Sequence, residues 1–258
     1  MLARAGACRP ANRGVCSNVM RLTLAPLALA LALPVAAEEL FLPMVAQKQG
    51  LEGSWWNTEV WITNTTSATG SYAVVFLPAG QANAEGLREE PIGEDLPPGA
   101  TAYRDDLVPQ GGSGALRLVT STGVVVFARV FNSAGRGSVG EARPALPRTA
   151  ALRPGEVGHL VGLRRTPQFR TNLAFFNPSL EAGTVRVRLL GPGGEEVGET
   201  SYRVAPGESI QLDDALHGFE VSRGEHLHAE VSGTVLLFAF ASVVDSRSGA
   251  PTMVPPLR

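Results

Sequence analysis

Residues 56–64 read WNTEVWITN, and residues 169–177 read FRTNLAFFN, at a constant offset of 113. Each stretch has an aromatic residue, a threonine two positions later, apolar residues at alternate positions and a closing asparagine. An alternation of period two predicts a β-strand with one buried face. That face carries Trp56, Thr58, Val60 and Ile62. We interpret both stretches as the first core strand of a β-sandwich domain that occurs twice in the chain.

Other landmarks repeat in the same order. Residues 184–190 match 71–77, the Pro-Gly turn at 205–207 matches the one at 97–99, and the Asp pair at 213–214 matches the pair at 105–106. A series of matches in one order indicates duplication, and the period of about 110 residues is too long for a solenoid repeat and suits sandwich domains. The sequence therefore predicts an all-β fold of two tandem Ig-like antiparallel β-sandwich domains, at residues 38–148 and 149–258.

Residues 1–37 are expected to be a leader and signal peptide. An apolar run at 22–35 follows Arg21, and the small residues Val35 and Ala37 fit positions −3 and −1 of a signal peptidase site. The run is shorter than the roughly 20 residues that a membrane-spanning helix needs. We therefore expect cleavage before Glu38, a mature chain with no transmembrane helix, and a location in the periplasm or outside the cell.

Both cysteines, Cys8 and Cys16, lie in this leader. A mature chain without cysteine has no disulfide, no thiol catalysis and no cysteine-based metal site. Removing the leader lowers the number of basic residues from 22 to 18, against 24 acidic residues. This acidic excess argues against nucleic acid or an anionic membrane surface as the partner.

Three motifs resemble a tandem β-sandwich pair found in exported bacterial proteins that have no assigned activity. They are Arg-Thr-Asn-Leu at 170–173 with Asn-Pro at 177–178, the Pro-Gly before the Asp pair, and Ser-Gly-Ala-Pro at 248–251. The resemblance covers essentially the whole mature chain, although the first copy departs from it with Trp56-Asn57 in place of Phe169-Arg170. It implies the fold and export, and it supplies no site residues.

The outward face of the first core strand carries the candidate ligand-binding residues. Alternation places Trp55, Asn57, Glu59 and Trp61 on this face. Flat aromatic rings with polar tips can stack against sugar rings, and Asn57 and Glu59 could form hydrogen bonds with hydroxyl groups. The alternative is that this face packs against the preceding strand or the other domain.

Other residue groups favour structural explanations. The Asp pairs at 105–106 and 213–214 are interpreted as helix caps rather than Ca²⁺ ligands. His226 and His228 alternate in a strand and could be two metal ligands, but no third ligand is identifiable, which favours a solvent-facing pair. The acidic residues between 81 and 95 are interpreted as a solvated loop. The sequence thus predicts no catalytic residue, metal or cofactor.

The function that these features favour is an exported, non-enzymatic binding or interaction module of the cell envelope or extracellular space. Its partner would be a polysaccharide, bound through Trp55 and Trp61, or another envelope protein. A structural spacer or assembly subunit that uses exposed sheet edges is the alternative, and a hydrolase is less favoured.

Overall fold

The fold is built almost entirely from β-strands. The computed structural model describes residues 37–133, 137–221 and 224–258, so the predicted leader lies outside the described residues apart from Ala37. Strand accounts for 60% of the structure and helix for 7%, and the sheets are antiparallel. The predicted all-β class is therefore confirmed, with a β-sandwich-like arrangement.

The N-terminal half contains two hydrogen-bonded layers. The first has the order β4-β3-β6-β1, with β9 also paired to β1, and the second has the order β5-β2-β7-β8. The strands are β1 (Ala37–Gln49), β2 (Trp55–Asn64), β3 (Gly70–Pro78), β4 (Glu94–Leu96), β5 (Thr101–Arg104), β6 (Gly112–Ser121), β7 (Val124–Asn132), β8 (Val139–Pro144) and β9 (Leu146–Pro147). The two layers are joined by β1, whose last residues, Lys48 and Gln49, pair with β2.

The C-terminal half contains two separate four-stranded sheets. Their orders are β10-β15-β12-β13 and β14-β11-β16-β17. The strands are β10 (Val157–Arg165), β11 (Phe169–Phe176), β12 (Gly183–Leu190), β13 (Glu196–Val204), β14 (Ser209–Leu212), β15 (Gly224–Gly233), β16 (Phe238–Asp245) and β17 (Pro251–Val254). When the first layer of the N-terminal half is read from β1, its order, β1-β6-β3-β4, corresponds to β10-β15-β12-β13, and the second layer, β5-β2-β7-β8, corresponds to β14-β11-β16-β17.

Short helical segments lie between some of these strands. They are the α-helix α1 (Ala84–Arg88) and the 3₁₀ helices Leu51–Gly53, Arg148–Ala150 and Ala215–Phe219. None of the helices within the described ranges has the length and apolar character needed to cross a bilayer.

The alternation in β2 produces the expected buried face for three of its four residues. Thr58, Val60 and Ile62 are buried, and Val60 and Ile62 belong to an apolar core between the layers of the N-terminal half. Trp56 was expected in the core as well, but it is half-buried and lines a cavity instead. It lies near the strand end that pairs with β1, beyond the part of β2 that covers this core.

Two buried asparagines, Asn64 at the end of β2 and Asn177 just after β11, make closely matching hydrogen bonds. Each residue is 0% exposed, donates to two matching backbone carbonyls and accepts from the amide two residues ahead, and Asn64 also donates to Pro97 O at 3.2 Å. For Asn64 the partners are Ala68 O at 2.8 Å, Leu96 O at 2.9 Å and Thr66 N at 2.9 Å. For Asn177 they are Glu181 O at 2.7 Å, Ala205 O at 3.0 Å and Ser179 N at 2.9 Å. The closing asparagine of the repeated motif therefore stabilises the loop that follows it through side-chain hydrogen bonds.

A separate apolar cluster joins the two halves. The rings of Phe41, Phe176 and Phe238 meet there, with centroid distances of 5.5, 5.9 and 6.1 Å. All three are buried, and the cluster also contains Leu87 of α1. Since Phe41 comes from β1 and the other two rings from β11 and β16, the halves share an apolar core.

The segment between β3 and β4 contributes to this junction, although the sequence predicted only a solvated acidic loop there. Its acidic residues are exposed, as expected, but Leu87 is buried and Asn83 bonds across the junction. The Asn83 side chain donates to Gly207 O at 2.9 Å, and its backbone amide donates to Pro206 O at 2.7 Å. Two hydrogen bonds from this segment therefore connect the N-terminal half to a turn of the C-terminal half.

The predicted helix caps are wrong. Residues 105–108 are not helical, and Asp106 instead forms an ion pair with Arg104 at 2.8 Å. Asp214 precedes the 3₁₀ helix Ala215–Phe219 but makes no side-chain capping bond, and its carboxylate pairs with Arg165 at 3.2 Å. In both places a neighbouring arginine binds the carboxylate that was expected to cap a helix.

Candidate functional site

Three aromatic side chains lie next to one another on the outer surface of the sheet that contains β2. Trp61 of β2 is directly opposite Tyr103 of β5 and Phe127 of β7. Its ring centroid lies 5.6 Å from that of Tyr103 and 6.2 Å from that of Phe127. Tyr103 is 50% exposed and Phe127 is 44% exposed. We call Trp61, Tyr103 and Phe127 the aromatic face.

Polar groups border the aromatic face. The Tyr103 hydroxyl donates to Glu59 Oε1 at 3.1 Å, and Arg129 lies 3.8 Å from the other Glu59 oxygen. Loss of hydration raises the pKa of Tyr103, and its bond to Glu59 raises the pKa further, so the hydroxyl remains a donor at neutral pH. On the other side of Trp61, the hydroxyls of Thr63 and Thr101 are 2.9 Å apart. The rings are thus bordered by hydroxyl, carboxylate and guanidinium groups.

The structure places the four predicted ligand-binding residues at different distances from the aromatic face. Trp61 is its centre and Glu59 is on its border. Asn57 lies further along β2 and donates to Trp55 O at 3.2 Å and to Ser133 Oγ at 3.0 Å. Trp55 is half-buried at the far end of the strand, roughly 20 Å from Trp61 at 3.3 Å per residue. Among the described residues, the ring–ring contacts on this sheet surface involve Trp61 and not Trp55, and Arg129 lies 4.3 Å from the ring centroid of Phe131.

Sequence reasoning missed Tyr103 and Phe127. The alternation of β7 would have placed Phe127 outward, because Val126 and Ala128 on either side of it are buried. Its position beside Trp61 depends on the pairing of β2 with β7, and that register is set by tertiary structure rather than by local pattern. Tyr103 lies in a four-residue strand, which is too short to give a periodic signal.

A second cluster of chemically active side chains lies on the outer surface of β10 and β15. Potential ligand atoms of His159, His228 and Glu230 all lie within 4.8 Å of one another. Strand alternation suggested His226 as the partner of His228. In the structure, however, His226 has a left-handed backbone with φ of 61°, and the β10–β15 register shifts between Val161 and Leu163. Strand alternation therefore fails at His226, and His159 takes its place beside His228.

A cavity of about 290 Å³ lies between the end of β1 and β8 of the N-terminal half and the β14-β11-β16-β17 sheet of the C-terminal half. Charged groups line it, among them Glu141, Arg143 and Asp213. Burial lowers the pKa of Arg143 to about 10, against the opposing effect of the Glu141 charge. Burial also raises the pKa of Glu141, while Arg143 and Ser242 oppose that rise. Arg143 donates to the Met44 carbonyl, so at least one N–H group of its guanidinium is already bonded within the fold.

Models of known protein families were compared with the chain and none matches, and no curated protein shows a matching sequence.

Proposed function

We propose that the chain is an exported, non-enzymatic binding module that holds polysaccharide against the aromatic face. The observation that carries this proposal is the direct cross-strand alignment of Trp61 with Tyr103 and Phe127, two of which are about half exposed. Contiguous exposed apolar groups on a soluble protein commonly mark a binding surface. No catalytic residue is assigned.

The chemistry of the surface favours a carbohydrate over a purely apolar partner. A sugar ring presents an apolar face of C–H groups and an edge of hydroxyls. The rings of Trp61 and Phe127 can take the apolar face, and Glu59, Arg129 and the Tyr103 hydroxyl can bind the hydroxyls. An apolar protein partner would leave the bordering charges of Glu59 and Arg129 desolvated, which costs free energy.

The architecture we propose around this surface is a tandem pair of Ig-like domains produced by duplication. The shared strand order and the matched bonds of Asn64 and Asn177 support it. We also propose that residues 1–37 are removed on export.

The mature N-terminus of the exported protein is expected at or close to Glu38. Strand β1 begins at Ala37, and Glu39 pairs with Arg117 and Arg148, each at 2.7 Å. Cleavage before Glu38 would release the strand with this ion cluster intact. N-terminal sequencing of the exported protein tests the site, and a start well beyond Glu39 would contradict it.

Substitution of the aromatic face is expected to weaken polysaccharide binding by about tenfold or more, as is usual for central aromatic contacts. The variants are Trp61→Ala and Tyr103→Ala, and the measurement is retention on insoluble cellulose, chitin and peptidoglycan followed by a binding isotherm. Trp55→Ala is the matched control, because it makes the same change on the same strand, and it should retain binding within about threefold.

Circular dichroism would verify that each variant is folded. The proposal is rejected if wild-type protein is retained on none of the three polymers, or if folded Trp61→Ala and Tyr103→Ala bind as tightly as wild type.

A structural spacer is the second candidate function. The shared core of Phe41, Phe176 and Phe238 fixes the junction between the halves, and β13 is a nine-residue strand at the edge of its sheet. Edge strands offer unpaired backbone groups to a partner. This role predicts assembly through β13, visible by analytical ultracentrifugation, in a protein that retains no polysaccharide.

A further inference from the structure

Three side chains with metal-binding chemistry converge on two adjacent strands of the C-terminal half. His159 of β10 is directly opposite Glu230 of β15, and His228 lies two residues before Glu230 on the same face. The imidazole centroids of His159 and His228 are 6.3 Å apart, with the rings inclined at 45°. All three residues are half-buried. Two imidazoles and a carboxylate therefore share one patch of the outer sheet surface.

The backbone beneath this patch is firmly held. Leu160, Ala229 and Val231 alternate with the three residues and are each 0% exposed in the core. On its other side, His159 exchanges both backbone hydrogen bonds with Leu257, at 2.8 and 2.9 Å. Since their backbones are fixed by pairing and packing, the three ligands are preorganised and need only side-chain rotation to meet an ion.

A neighbouring arginine orients the carboxylate. Arg188 Nη1 donates to Glu230 Oε2 at 3.0 Å, and Arg188 Nε donates to Glu196 at 2.7 Å. This contact leaves Oε1 as the oxygen through which Glu230 would bind an ion. Outer hydrogen bonds of this kind fix ligating carboxylates in known metal sites. Glu196 offsets the charge of Arg188, so the cluster remains net negative when the imidazoles are neutral.

We propose that His159, His228 and Glu230 form a binding site for one divalent transition-metal ion, with Zn²⁺ as the ion that best suits the ligands. Imidazole favours Zn²⁺ over Ca²⁺ or Mg²⁺. Zn²⁺ bonds of about 2.0–2.2 Å require ligand atoms roughly 3.3–3.6 Å apart. Side-chain shifts on the order of 1 Å close the present spacing to that range, and water fills the fourth position.

The bound ion would cross-link β10 to β15 on the surface of the C-terminal half. It would lie close to the register shift, between Val161 and Leu163, that interrupts the pairing of these strands. This site is on a different sheet from the aromatic face, and the inference does not depend on the proposed polysaccharide binding.

Isothermal titration of the full chain with ZnCl₂, expressed with its leader and purified without a histidine tag, tests the site. We expect one Zn²⁺ per chain for the wild type. His159→Ala, His228→Ala and Glu230→Gln should each weaken the affinity by about tenfold or more, since even outer-sphere changes cost 10–100-fold.

His226→Ala is the matched control, because His226 is exposed on the same strand but outside the cluster, and it should leave the affinity unchanged. A thermal melt with and without Zn²⁺ gives a second readout, in which the ion should raise the melting temperature of wild type and His226→Ala only. The inference is overturned if wild type binds no Zn²⁺, or if folded His159→Ala and His228→Ala bind it as tightly as wild type.

Discussion

Replacing Phe41 with alanine should lower the free energy of unfolding by about 3–5 kcal/mol, the usual cost of removing a buried phenylalanine. Phe41 is 0% exposed and contacts two other rings, at 5.5 and 5.9 Å. Because Phe176 and Phe238 come from the C-terminal half, the cavity would lie in the core that both halves share. The effect should therefore reach the whole molecule. Urea denaturation followed by circular dichroism measures it.

Phe127→Ala is the matched control for this experiment. Phe127 is 44% exposed on the outer surface of its sheet, so its truncation leaves no internal cavity and should cost about 1 kcal/mol or less. If Phe41→Ala lowered the free energy of unfolding by no more than Phe127→Ala does, the two halves would not be held together by a shared apolar core.

Replacing Asn177 with alanine should destabilise the fold by about 2–4 kcal/mol, and Asn64→Ala should have a similar effect, because each change removes at least three hydrogen bonds worth about 0.5–1.5 kcal/mol each. Asn177→Ala removes the amide donor to the carbonyls of Glu181 and Ala205, which keep only contacts of 3.2 Å with Ser179 Oγ and Glu208 N, and it removes the acceptor of Ser179 N. Asn64→Ala likewise removes the amide donor to Ala68 O and Leu96 O and the acceptor of Thr66 N. Equal decreases in the free energy of unfolding would show that the two asparagines stabilise their respective halves to the same extent. Urea midpoints of the variants provide the measurement.

Two further variants sharpen this result. Asn177→Asp keeps the oxygen that accepts from Ser179 but replaces the donor with a second acceptor, so it should be at least as damaging as Asn177→Ala. Asn57→Ala removes a half-buried asparagine from the outer surface of β2 and should cost about 1 kcal/mol or less. A tolerated Asn177→Asp would mean that donation to the two carbonyls is not what stabilises this loop.

Local sequence pattern was sufficient to predict the fold class and most of the buried face of β2, although it failed at Trp56, near the end of that strand. The alternation of β2 correctly predicts that Thr58, Val60 and Ile62 are buried, because a strand with one solvated face must repeat every two residues. The same pattern places Trp61 and Glu59 on the outer surface, where the structure has them. These predictions need only the geometry of a single strand.

The contents of both candidate sites could not be predicted because they depend on pairing between distant segments. Tyr103 and Phe127 join Trp61 only through the registers of β5 and β7 with β2. His159 joins His228 only through the β10–β15 pairing, and the irregular backbone at His226 removes the partner that alternation suggested. A register shift of one residue reverses the face of every side chain, so such clusters are fixed by the tertiary fold.

The position of β1 has a consequence for biogenesis. This strand of 13 residues comes first among the described elements, yet its longest pairing is with β6, which begins at Gly112. A ribosome therefore releases β1 well before its main partner exists, and its backbone donors and acceptors can meanwhile pair with strands of other chains. Production of the protein should then depend on how well a chaperone shields this early strand until β6 has also emerged from the ribosome.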